Sequence, residues 1–181
     1  MKAKQVAQFG ILTAAALVLG WVERLFPIAP GIPGVKLGLG NTVLLYAIYM
    51  MRPPDALLLM VVKVVLSGFL FSSISGMLYS FAGGLLSLGV MLLLQRVLRT
   101  NIVVVSVGGA LAHNMGQILV ALVFVLSRAV LSYVPVLVIS GFITGLLTGI
   151  VAKYVLKGLH LYRDKAKTSS PSKANHNKEK K

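Results

Sequence analysis

Residues 102–126 read IVVVSVGGALAHNMGQILVALVFVL, a run without aspartate, glutamate, lysine or arginine. It is long enough to cross a bilayer, which takes about 20 apolar residues in helical form. At its centre stand Ala112, His113, Asn114, Met115, Gly116 and Gln117. His113 and Gln117 lie four residues apart and share a helix face, and Asn114 and Gln117, three apart, are also neighbours. Polar groups at hydrocarbon depth are costly, about 2.5–3.5 kcal/mol for a central charge on insertion scales, so each needs a partner or a purpose. One segment therefore predicts a membrane protein and marks where its function should be sought.

The rest of the chain agrees with this reading. Of 181 residues, 57% are hydrophobic and 12% charged, and the mean hydropathy is +0.88. Soluble domains run at roughly 45–50% apolar and about 25% charged, so lipid is the expected solvent. The pattern predicts an all-α integral membrane protein, a single bundle of about six transmembrane helices over 5–25, 37–51, 56–71, 77–98, 102–126 and 134–156. The transmembrane domain occupies 1–159, and a disordered basic tail is expected over 160–181 because its Ser/Pro/Asn/Lys composition buries too little apolar area to order itself. Lys2 and Lys4 before an apolar run resemble a signal peptide, but no small-x-small cleavage site follows, so the run is read as the first membrane helix. Pro27, Pro30, Gly31, Pro33 and Gly34 end that helix in a proline-ordered loop.

A net charge of +14 raises the question of nucleic acid, but the positions of the charges matter more than their sum. With both termini cytoplasmic, fourteen of the eighteen Lys and Arg residues fall on the inner side, including Arg52, Arg96, Arg99, Lys153 and Lys157. Only Arg24, Lys36 and Arg128 fall outside, and Lys63 lies within the third span. The bias predicts a multi-pass protein of the bacterial cytoplasmic membrane, amino and carboxyl ends inside. The basic residues are read as topology signals near lipid headgroups, with no nucleic-acid partner.

Several residues are candidates for chemistry. Lys63 lies about 12 Å along its helix past Asp55, near the bilayer centre, where its amine either faces a cavity or snorkels along its stem towards the cytoplasm. Glu23, near the outer end of the first helix, is placed to pair with Lys36 or Arg24. The stretch from Gly34 through Lys36, Gly38, Gly40 and Asn41 brings backbone and helix amino end close to any bound anion. Together with Lys36 and the His113–Gln117 cluster it predicts a ligand pocket opening outwards. Tyr79, Ser80 and Tyr133 either line that pocket or anchor at the interface. No cysteine is present, which excludes thiolate chemistry. His113 lacks a second ligand at helical spacing for a metal, so inter-helix hydrogen bonding is expected of it. Small residues recur at Ala3, Ala7, Gly10 and Ala14 in the first helix and at Gly141, Gly145 and Gly149 in the last. Such stripes serve either packing within the bundle or docking of a partner.

These residues also carry a family resemblance. The run from Glu23 to Asn41, the Tyr79–Gly84 stretch, the Ser106–Gln117 stretch with its His-Asn-x-Gly-Gln, and Tyr133, Pro135, Gly141, Thr144 and Gly145 resemble the Gx transporter family, also catalogued as heptaprenyl diphosphate synthase component I. That family is similar to the substrate-capturing S components of energy-coupling factor transporters. The resemblance implies a non-catalytic subunit that binds a small vitamin- or cofactor-like compound from outside. Its first helix would meet a coupling subunit, and partner ATPases would use ATP, this chain holding no cofactor. The resemblance also allows a second reading, a membrane anchor for a flavoprotein in extracellular electron transfer or for a synthase in quinone and isoprenoid metabolism. Prenyl diphosphate synthesis itself needs clustered aspartates for Mg²⁺. The four acidic residues, Glu23, Asp55, Asp164 and Glu179, are scattered.

Overall fold

The computed structural model describes residues 3–25, 38–125, 131–132 and 134–168. Among them are six helices: α1 (Ala3–Leu25), α2 (Leu39–Met50), α3 (Pro53–Phe71), α4 (Ile74–Leu92), α5 (Ile102–Val125) and α6 (Val134–Thr168). Five are long and apolar enough to cross a membrane; α2, with 12 residues, is not. At 1.5 Å per residue α2 covers about 18 Å, little more than half of a hydrocarbon core of about 30 Å. It is also the centre of the bundle, touching each of the other five helices. Leu44, Leu45, Ala47 and Ile48 of α2 are buried and form one core with Ala16, Ala56, Leu59, Met60, Leu88, Met91, Val105 and Ala152. The outward faces of the other helices carry large apolar side chains such as Ile11, Phe69 and Val123, as hydrocarbon requires.

Helix boundaries depart from the sequence reading for local reasons. Pro53 and Pro54 end the preceding helix and also open α3, since proline lacks the N–H that a first helical turn leaves unpaired anyway. Helix α4 begins at Ile74, three residues earlier than expected, because the Ser73 hydroxyl accepts the Gly76 N–H at 3.2 Å as an amino cap. Its far end loosens into a π-helical turn, Leu93–Val97, where Gln95 Nε2 donates to the Ile48 carbonyl of α2 at 3.2 Å. Helix α6 continues to Thr168, into the stretch 160–181 that its composition marks as a basic tail. The expected tail beyond it, 169–181, lies outside the described residues, as do Pro30, Gly34, Lys36 and Tyr133.

The two small-residue stripes have different fates. Gly141, Gly145 and Gly149 are buried against α5. A β-carbon on Gly145 would stand 2.7 Å from the Val107 Cα, and one on Gly149 3.0 Å from the Val103 Cα. The buried hydroxyls of Ser106 and Thr148 meet across the same contact at 2.9 Å. Helices α4 and α5 approach as closely at Gly116, where a β-carbon would stand 2.7 Å from the Ala82 carbonyl oxygen and 2.8 Å from the Gly83 Cα. Ala3, Ala7, Gly10 and Ala14, by contrast, are exposed along one face of α1, and the space around Gly10 is open.

Substitution separates these cases. Gly116→Ala meets backbone that cannot move aside, so it should destabilise by about 1–3 kcal/mol, the usual cost of overpacking. Gly10→Ala should leave stability unchanged or raise it by up to about 1 kcal/mol through helix propensity. Thermal unfolding of the detergent-solubilised protein reads both, and equal midpoints for the two variants would contradict this packing.

Candidate functional site

Helix α2 begins within the bundle, its first turn carrying the buried Gly40. Gly38 precedes it with φ of 76°, in the left-handed region that favours glycine. The Gly38 carbonyl accepts the N–H groups of Asn41 and Thr42 at 2.8 and 3.1 Å. Its own N–H donates to Glu23 Oε1 at 2.6 Å, tying the end of α1 to the start of α2. The sequence suggested Arg24 or Lys36 for Glu23. Arg24 instead donates through Nη1 to the Phe71 carbonyl and lies over the Phe71 ring, 5.8 Å from its centroid.

A cavity of about 320 Å³ runs inwards from this point, and all six helices contribute to its wall. Lys63 reaches it from α3 and donates from Nζ to Asn41 Oδ1 at 2.9 Å. The lysine stem passes over Gly40, where a β-carbon would stand 3.2 Å from both Cε and Nζ. The amine therefore points into the cavity and does not snorkel. It stands at the amino end of α2, whose dipole is also positive, so ammonium and helix end together make this side of the cavity electropositive.

From α5 the wall receives His113, Asn114 and Gln117, so the polar cluster at the middle of that span does meet Asn41 and Lys63 in one place. His113 sits against Gly83, where a β-carbon would clash with its ring and carbonyl. Asn114 Nδ2 donates to the Leu137 carbonyl of α6 at 2.7 Å, and Gly141 provides the room. Of the other candidates, Glu23 and Gly38 line the mouth, while Tyr79 stands outside the lining and Ser80 takes its place. Lys36 lies outside the described residues. Among the described residues, no three His, Asp or Glu side chains are grouped to hold a metal ion.

The structure adds residues that sequence reasoning missed. Ser87 lines the cavity from α4 and is 1% exposed. Gly76, Ser80, Gly84 and Ser87 recur at helical spacing, a small-residue face that could have identified it. Three methionines also line the wall, each beside a glycine of a neighbouring helix: Met60 at Gly84, Met77 at Gly68 and Met91 at Gly109. Methionine is flexible and fills irregular gaps, and nothing in its sequence spacing distinguishes such a wall from ordinary core. At the far end the bundle is closed by the α2 core and by Gln95 on Ile48. Arg24 and Ser72, both exposed, mark the open end.

Two comparisons bear on this arrangement. A model of the family described as heptaprenyl diphosphate synthase component I matches residues 12–155. Among solved structures, one described as "Structure and mechanism of the S component of a bacterial ECF transporter" superposes with a TM-score of 0.58. The match covers 93% of this chain and 98% of that one at 19% sequence identity, a likeness of fold. No curated protein matches the chain.

The Glu23–Gly38 tie is testable by itself. Hydrogen bonds to charged groups contribute about 1.5–3 kcal/mol, so Glu23→Ala should destabilise by that order. Amide exchange at Gly38, Asn41 and Thr42 should accelerate before exchange in α5. Unchanged protection at these amides would show that the carboxylate does not hold the start of α2.

Proposed function

The chain belongs to the heptaprenyl diphosphate synthase component I family, and we propose from that premise that it is a substrate-binding membrane subunit that captures a small compound for uptake. The carrying observation is the cavity: it opens beside Glu23 and Arg24, closes near α2's far end, and holds Lys63, Asn41, His113, Asn114 and Gln117 in its wall. A volume of about 320 Å³ lies at the low end of the range for small-molecule sites. The electropositive side formed by Lys63 and the α2 amino end suits an anionic or carbonyl-bearing ligand. Lys36 belongs to the site in this reading, and Tyr79 joins it only where a bound compound extends to it.

The likeness in fold to an S component supports a division of labour in which partner ATPases use ATP and this chain binds substrate. In that scheme the exposed stripe of Ala3, Ala7, Gly10 and Ala14 docks a coupling subunit, since close helix approach needs small residues. The synthase reading is less well supported: Glu23 stands at the cavity mouth and Asp55 in the first turn of α3, so among the described residues no pair of carboxylates offers Mg²⁺-diphosphate a site. The inner end carries Arg52, Arg96, Arg99, Lys153 and Lys157. By the positive-inside rule both termini are cytoplasmic and the cavity opens outwards.

Two measurements test this. Mass spectrometry of small molecules co-purifying with the protein should find one compound retained by the wild type, lost by at least tenfold in Lys63→Met and His113→Ala, and kept by Lys153→Met. An empty inventory, or equal retention in all four proteins, rejects capture at this site. For orientation, the cysteine-free chain allows single-cysteine labelling: Ser73→Cys should react with an impermeant maleimide on intact cells, and Arg99→Cys only after permeabilisation. The reverse pattern would invert the proposed topology.

A further inference from the structure

The cavity wall is divided by hydrogen-bonding character. On the α2–α3 side the ammonium of Lys63, which can only donate, is held by Asn41 Oδ1. On the α4–α5 side the buried oxygens Ser87 Oγ and Gln117 Oε1 have no hydrogen-bond partner among the described residues, although both residues line the cavity. The other polar groups nearby are engaged among themselves: Ser106 with Thr148, Thr148 with the Thr144 carbonyl, and Asn114 with the Leu137 carbonyl. Buried polar atoms are nearly always paired, so these two oxygens stand out as the buried atoms of the wall that lack a partner among the described residues. An amide oxygen accepts and never donates, which makes Gln117 Oε1 a demand for an N–H or O–H.

We propose that the cavity is a donor-and-acceptor site for a small compound of cyclic amide character, a lactam, imide or cyclic urea. Its carbonyl faces Lys63 and its ring N–H faces Gln117 and Ser87. This rests on the capture reading and deepens it by naming the ligand's chemistry. A simple carboxylate suits the lysine side and can accept from the Ser87 hydroxyl, but it has no proton to offer Gln117 Oε1. A unit in which C=O and N–H share one conjugated group satisfies both sides within a short distance. The volume agrees: about 320 Å³ falls within the range of small-molecule sites, about 300–1,000 Å³. The methionines beside Gly84, Gly68 and Gly109 provide an adaptable apolar border around such a ring.

The test uses three probes on the detergent-purified full chain, read by saturation-transfer NMR. Uracil has carbonyls and two N–H groups, 1,3-dimethyluracil has the carbonyls alone, and benzoate is an anion without a donor. The wild type should bind uracil at least tenfold more tightly than dimethyluracil and more tightly than benzoate. Gln117→Met should bring the uracil-to-dimethyluracil ratio near one, and Ser87→Ala, the milder change, should lower it about threefold. Lys63→Met should weaken both probes. Equal wild-type binding of uracil and dimethyluracil overturns the inference, as do preference for benzoate and a ratio unaltered in both Gln117→Met and Ser87→Ala. Lysine-dependent benzoate binding would remove the donor requirement while leaving capture in place. Capture itself falls only with an empty inventory of co-purifying molecules or with equal retention in the wild type and the cavity variants.

Discussion

The ammonium of Lys63 is held inside a bundle whose outer surface is made for hydrocarbon, and much of the architecture can be traced to that placement. A charge at this depth is tolerated where it faces a polar interior. Here that interior is a cavity walled by residues of all six helices. The chain places a 12-residue helix at the centre of five longer ones, and the cavity runs inwards from its amino end past Gly40, Asn41, Leu44 and Leu45. Asn41, in the first turn of α2, meets the lysine directly. Gly40 gives the lysine stem its path, and a side chain there would crowd it.

Around this centre, rigidity and adaptability are assigned to different contacts. Helices α4, α5 and α6 meet backbone to backbone at Gly116, Gly145 and Gly149, where a β-carbon would find atoms that cannot yield. On the cavity face, glycines meet methionine side chains instead, and those can yield. One residue type thus serves both a fixed scaffold and a wall that can adjust. The difference lies in what stands opposite each glycine.

Helix α1 is the least integrated of the long helices. Its inner residues Thr13 and Ala16 are buried, yet Ala3, Ala7, Gly10 and Ala14 remain on the surface, and its contacts are with α2 and α3. Its outer end is fastened through Glu23 to Gly38, so α1 is coupled to the start of α2 and hence to the cavity mouth. A partner seated on the exposed stripe would rest on a helix already connected to the ligand site.

Much of this was legible in the sequence. Uncharged apolar runs of bilayer length determine membrane helices because lipid offers no partner to an unpaired backbone. The same logic made the central His113, Asn114 and Gln117 conspicuous, since polar side chains at that depth are rare. Other features depended on tertiary structure. Sequence spacing left open whether Lys63 snorkels or turns inwards, and the position of Asn41 on another helix decides it. Small-residue stripes on α1 and α6 look alike as sequence, and only the presence of α5 beside α6 makes one a packing seam while the other stays open. Tyr79 and Ser80 are adjacent in the chain, and the rotation of α4 within the bundle turns the serine, not the tyrosine, to the cavity. Hydropathy and helical period are properties of a single segment. Which face meets which neighbour depends on contacts between residues distant in the chain, and no local pattern records them.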